Sequence, residues 1–241
     1  MRVLALDTTT RAGSVAIVDD DDRVIGERAG DAARTHAERL PGEILALLDA
    51  CHLAIADIDL FAVASGPGSF TGLRIGIATM QGFAVTCRRR MVGVSALDAL
   101  GHLGSEGAVP SAIVASWMDA HRGEVFAGLY QVRRAPLFDP ERLMRLGPPM
   151  VSDPAQALAL SEPDAADSVT FIGDGAVKYG DVIGRVMPDA RILPLPLLAG
   201  AIGRLALARA RRGDTFDAAG LLPLYIRRPD AEVARDRGVA H

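Results

Sequence analysis

The sequence predicts an α/β protein of two lobes, and three observations carry that prediction. A short apolar strand, an acid, a polar turn and a second strand occur twice: Arg2 to Leu6, Asp7 and Ser14 to Val18, then Ala112 to Met118, Asp119 and Val125 to Tyr130. The copies differ in letters but share a layout, as a duplicated lobe does. Between them lies Phe61 to Val85, FAVASGPGSFTGLRIGIATMQGFAV, an apolar run broken by glycine and proline and followed by residues at helical spacing. The 241 residues, 49% hydrophobic and 23% charged, suffice for such a core and exclude wholesale disorder.

Taken in order, the chain opens as an antiparallel meander, with Asp19 to Asp22 a charged turn before Val24 and Ile25. A run of like charge at a turn reads as solvated rather than metal-binding. Thr35 and Glu38 have capping-box spacing, and Leu40, Ile44, Leu47, Leu48 and Cys51 then fall on one helical face. Pro41 lacks an amide hydrogen, so a kink or a late helix start is expected. His36 has no second histidine or cysteine at ligand spacing beside it and reads as a surface or capping residue.

Phe61 to Ala64 reads as a buried strand, Ser65 to Gly68 as a breaker and Ser69 as a helix N-cap. Leu73, Ile77, Met80 and Ala84 recur at helical spacing, while Gly72 and Gly76 form a second stripe, with Gly82 beyond. Interior glycine costs a helix about 1 kcal/mol against alanine, so these positions predict a close approach by something. That something is a partner or a neighbouring part of the same lobe. The preceding loop could hold an anion at a helix N-terminus. It could equally be a tight turn that uses Gly66 and Gly68 for dihedral freedom, and without a following Gly-Lys-Ser/Thr the residues favour the turn.

Met91 to Val94 is a strand, Ser95 and Asp98 open a helix towards His102, and Ala108 to Pro110 breaks the pattern. The second meander leads into a Pro-rich connection, Ala135 to Pro149, then a short helix, Pro154 to Leu160, and an acidic loop, Ser161 to Ser168. Val169 to Ile172 is a strand ending in the turn Gly173 to Val177. After the linker Leu193 to Pro196, the helix Leu197 to Arg212 turns Ile202, Leu205 and Ala206 inward and Arg204, Arg209, Arg211 and Arg212 outward. Gly213 ends it, and the tail Leu222 to Pro229 frays after Asp230. This assigns residues 1–107 with 197–215 to the first lobe and 108–196 with 216–241 to the second.

Composition narrows the function. Net charge is −4 and Lys178 is the sole lysine, which makes a poor lone binder of nucleic acid. Cys51 and Cys87 are too few for a disulfide framework and read as small buried apolar residues. The first apolar run stops at Asp7 and no stretch has membrane-spanning length, so a soluble, cytoplasmic protein without a signal peptide is expected. The histidines at 36, 52, 102, 121 and 241 include no His-x-x-x-His pair, and neither a His-Glu-x-x-His helix nor a Gly-x-Ser-x-Gly elbow occurs. Asp7, Asp119 and Glu124 are the acids to test as catalysts, with capping turns the competing role. No metal site and no catalytic residue is assigned.

The layout resembles the actin-like, sugar-kinase and Hsp70 superfamily, in which the first acid helps hold a hydrated metal and its loop holds phosphates. By that resemblance Asp7, Thr8, Thr9, Thr10, Gly66, Gly68, Asp119, Gly173 and Gly175 would form a weak ATP or ADP site, although three threonines stand where relatives carry glycine. The stretch Ser65 to Gly76, with Leu4 to Ser14, Thr35 to Pro41, Asp119 to Phe126 and Pro223 to Arg227, is similar to the TsaB (YeaZ) family. The resemblance implies a non-catalytic subunit of tRNA threonylcarbamoyladenosine synthesis. Such a subunit pairs with a TsaD-like enzyme, or with itself, is joined by a TsaE-like ATPase, and reaches tRNA only through the complex. It places the interface on Thr35, His36, Leu40, Ile44, Leu47 and Leu48 of one helix, and on Ser69, Phe70, Gly72, Leu73, Arg74, Gly76, Ile77 and Met80 of the next. An active phosphotransferase of the same fold is the alternative.

Overall fold

Strand β1 (Val3–Asp7) is buried at every residue, as a strand covered on both faces must be. It pairs antiparallel with β2 (Ser14–Val18), and β2 pairs with β3 (Val24–Ala29). On its other edge it runs parallel to β4 (Leu60–Gly66), and β4 to β5 (Arg90–Ser95), giving the sheet order β3-β2-β1-β4-β5. Helices α1 (His36–Ala50) and α2 (Phe70–Cys87) cover one face, with Leu40, Ile44, Leu47, Leu48, Ile77 and Met80 in one core with Leu4, Leu6, Ile17 and Phe61. This computed structural model describes residues 1–159 and 169–226.

After α3 (Ala96–Gly104), β6 (Ile113–Asp119) and β7 (Val125–Val132) repeat the opening meander. Strands β8 (Leu143–Arg145) and β9 (Met150–Ser152) both pair with β7, and α4 (Pro154–Ala159) follows. Strand β10 (Val169–Ile172) lies parallel to β6. The chain continues through α5 (Asp174–Lys178) and α6 (Gly180–Val186) to β11 (Arg191–Leu193), parallel to β10. Helix α7 (Ala199–Arg211) then returns to the first sheet, against β1, β2, β4 and β5. Together α3 and α7 fill the layer between the sheets, in a core that joins Ala5, Ala62 and Val92 to Val114, Tyr130 and Ile172. The two-lobed α/β expectation therefore holds.

Several expectations are corrected. Helix α1 starts at His36 despite Pro41, because the Glu38 carboxylate accepts from the Thr35 amide at 2.9 Å and the Thr35 hydroxyl at 2.7 Å. The Pro-rich connection holds β8, and the turn after β10 opens helix α5. Strand β11 and helix α6, of three and seven residues, were not anticipated because they are too short to show a period. Cys51 and Cys87 are half-buried, not buried. Arg204 and Arg209 are also half-buried, the first over the Phe138 ring and the second donating to the Gly93 carbonyl at 2.6 Å.

Residues 216–224 of the tail lie on the first lobe rather than the second. Phe216 bridges to Met91, Gln81 donates to the Ala218 and Leu221 carbonyls, and the Leu224 amide donates to Ser65 at 2.7 Å. Leu160, the acidic loop to Ser168 and the stretch from Arg227 onward fall outside the described residues. Among the described residues no helix is long and apolar enough to cross a membrane.

His102, 3% exposed near the end of α3, has its pKa pulled down to about 4, first by burial. Between that value and an ordinary histidine pKa the unfolded chain binds the extra proton, so stability present above pH 6.5 is lost as pH falls towards 4. The loss is on the order of 3 kcal/mol. Urea denaturation at pH 7 and pH 4 should show His102→Gln losing less stability across that window than the parent chain, and equal losses would contradict this assignment.

Candidate functional site

The C-terminal ends of β1, β4 and β6 open onto a cleft of about 910 Å³ between the lobes, reached by the Thr9 turn, the start of α2, Asp119 and Leu224. Its floor is built from the Asp7 turn. Asp7 is 2% exposed, and its Oδ1 accepts from the Thr9 amide at 2.8 Å and the Thr9 hydroxyl at 2.5 Å, with Thr10 at 3.4 Å from Oδ2. Burial raises its pKa more than these bonds lower it, so the carboxyl sits above the usual range. Every donor around it comes from its own turn, which is the geometry of a capping acid.

A side chain at any of the glycines expected to approach phosphate would collide with protein. A Cβ on Gly68 would strike Thr9, and the Ser69 amide donates to the Thr9 carbonyl at 3.1 Å. Gly66 has φ +124°, which only glycine adopts readily, and a side chain there would meet the Leu224 carbonyl. Gly173 and Gly175 lie against the backbone of Trp117 and Met118. Each of these glycines is thus held close to Thr9 or to the protein's own backbone, and Thr9, Thr10, Gly68, Asp119 and Asp174 all line the open cleft.

Asp119, across the cleft, holds Lys178 Nζ at 2.9 Å from both carboxylate oxygens and accepts from the His121 amide at 3.0 Å. Burial pushes its pKa up, but the ammonium and the amide outweigh it, and the carboxyl lies below the usual range. Asp174 Oδ1 accepts from the amides of Asp119 and Gly175, tying β6 to α5. Among the described residues no group of three His, Cys, Asp or Glu side chains is placed to hold a metal ion.

His36 is half-buried, not a surface cap. Its Nε2 lies 3.1 Å from the Thr10 carbonyl and its Nδ1 2.7 Å from Arg39 Nη2, and burial followed by the Arg39 charge depresses its pKa. The buried Arg39 also donates to the Ala12 carbonyl and pairs with Glu43 at 2.6 Å, which ties α1 to the loop after β1. Sequence reasoning missed Arg39. Its signal is a charge inside an apolar stripe with an acid four residues on.

The expected interface residues divide between two faces. Gly72 and Gly76 point inward, where a Cβ would collide with the Thr8 carbonyl and the Thr8 side chain. Leu40, Ile44, Leu47, Leu48, Leu73, Ile77 and Met80 are core residues of the first lobe. Only Thr35, Ser69, Phe70 and Arg74 are exposed, with Arg74 stacked over Phe70 at 4.0 Å and donating to the Tyr225 hydroxyl at 3.0 Å. The outward face of the helix pair is formed instead by Pro41, Gly42, Leu45 and Ala46 of α1 and by Ala78, Gly82 and Val85 of α2. Leu45 is 55% and Val85 66% exposed, and a Cβ on Gly42 or Gly82 would meet nothing.

Comparison with known proteins adds the following. Residues 29–234 match a family model described as TsaD, tRNA N6-adenosine threonylcarbamoyltransferase. The Escherichia coli tRNA threonylcarbamoyladenosine biosynthesis protein TsaB is 31% identical over 94% of this chain and 95% of its own. The structure of YeaZ from Pseudomonas aeruginosa superposes with a TM-score of 0.74 at 31% identity, covering 93% of this chain and 99% of that one. Component A of Acidaminococcus fermentans (R)-2-hydroxyglutaryl-CoA dehydratase, at 12% identity over 88% of this chain and 99% of that one, shares the fold with a TM-score of 0.54.

The two glycine faces make opposite predictions. Gly76→Leu should destabilise the isolated chain by about 1–3 kcal/mol, because Thr8 is fixed and cannot yield. Gly82→Ala should stabilise it by up to about 1 kcal/mol through helix propensity alone. Urea melts of both variants check this, and a neutral Gly76→Leu would return that position to the surface.

Proposed function

Because this chain belongs to the TsaB (YeaZ) family, we propose that it serves in tRNA threonylcarbamoyladenosine synthesis as a non-catalytic scaffold. It pairs with a TsaD-like catalytic subunit and takes part with a TsaE-like ATPase, meeting tRNA through the assembly. The observation that carries this reading is the outward face of α1 and α2, where small and apolar residues of two adjacent helices stand uncovered. Small residues let helices approach closely, and apolar neighbours then lose water together. The transferase model spans most of this chain, so a TsaD-like partner carries an equivalent helix pair, and the two pairs pack face to face. Without that partner a second copy of this chain takes its place.

The acids support the non-catalytic role. Asp7 is buried and bonded within its own turn, and Asp119 is neutralised by Lys178, so neither is poised for general acid–base chemistry. The phosphotransferase alternative calls for a glycine shortly after the first acid, where this chain carries Thr8, Thr9 and Thr10.

Reconstitution of tRNA threonylcarbamoylation from a TsaD-like and a TsaE-like protein of the same source tests the proposal. Product should form only when this chain is present, and Asp7→Asn and Asp119→Asn should sustain it at rates within about threefold of the parent. A loss of two orders of magnitude in either variant, with the complex still assembled, would make that acid catalytic.

A further inference from the structure

The chain crosses between lobes twice, after α3 and before α7, and a cleft separates the lobes at one end of the sheets. Beside these crossings the lobes meet through the apolar layer of α3 and α7, so the angle between them is set by what packs across that layer. At the opposite end of the strands lies the loop between β7 and β8. There Phe138, 4% exposed and at φ +63°, is inserted between a helix of the interlobe layer and one that returns to the first sheet. Its ring stacks on His102 of α3 with centroids 5.9 Å apart, and the guanidinium of Arg204 on α7 lies 4.9 Å from its centre. On either side of it the loop is clasped by charge. Arg212, just past α7, reaches Asp139 at 2.9 Å and Glu141 at 3.3 Å. Arg142 donates to the Ser105 hydroxyl at 3.0 Å and to the Ser105 carbonyl at 2.7 Å, gripping the end of α3.

We propose that Phe138 and its flanking charges form a latch that fixes the angle between the lobes, so that the cleft keeps one width. Any rotation that opens or closes the cleft has to draw Phe138 out from between His102 and Arg204 and break the Arg212 pairs. A phenylalanine held at positive φ marks a position that the surroundings, not the local chain, determine. The latch accords with the scaffold role without depending on it, since a rigid subunit presents the same α1–α2 face at all times.

Double electron–electron resonance between labels at Arg28→Cys on β3 and Val177→Cys, in a Cys51→Ser, Cys87→Ser background diluted with excess unlabelled chain, reads the interlobe distance within one molecule. The latched chain should give one narrow distribution. Phe138→Ala should broaden it about twofold or shift its mean. Leu48→Ala, which weakens the core under α1, should leave it narrow, as a control for general loosening. If Phe138→Ala does not fold, Asp139→Asn with Glu141→Gln removes the surface clasp and should broaden the distribution instead. A folded Phe138→Ala with an unchanged distribution, or equal broadening by Leu48→Ala, overturns the latch; where the double variant stands in, its unchanged distribution does so.

Discussion

Thr8 packs into the space that Gly72 and Gly76 leave on the inward side of α2, and Thr9 packs against Gly68 at the entry to that helix. The contact is between backbone and small side chains, with Thr8 and Asp7 both buried beneath it. It fixes the N-terminal half of α2 on the first sheet and seals the floor of the cleft. Since α1 packs beside α2, the same contact sets the height and tilt of the outward face of both helices. The interior glycines thus seat α2 by its inward face and leave its outward face uncovered.

Much of this was legible in the residues. The buried strands, the Ser69 cap that accepts from Gly72 at 3.2 Å, and the repeated meander all follow from period and capping chemistry. Gly72 and Gly76 were rightly read as a place of close approach, but the approaching group was assigned to a partner. Spacing along one helix shows which residues share a face. It does not show what covers that face, and here the cover is a turn more than sixty residues upstream. Gly82 was noted with Gly72 and Gly76 as a position of close approach, yet a Cβ there would meet nothing, and Gly42 beside Pro41 was not singled out.

The second lobe was harder to read for a physical reason. Its added strands, β8, β9 and β11, run three residues each and owe their form to pairing on β7 and β10, while the seven-residue α6 is held against α4 and α5. The tail was misplaced for a similar reason. Its hold on the first lobe rests on backbone bonds at Met91 and Ser65 and on the Gln81 side chain, none of which has a sequence signature.

The central claim is that the outward α1–α2 face is the partner surface while the inward face is core. The direct measurement is the affinity of a Leu45→Arg variant for a TsaD-like subunit, by calorimetry, beside its melting temperature. A buried charge in an otherwise apolar helix contact should weaken binding by at least about tenfold, and an exposed position should leave melting within about 2 °C of the parent. Unchanged affinity for the partner, with the chain folded and the complex formed, would contradict the account.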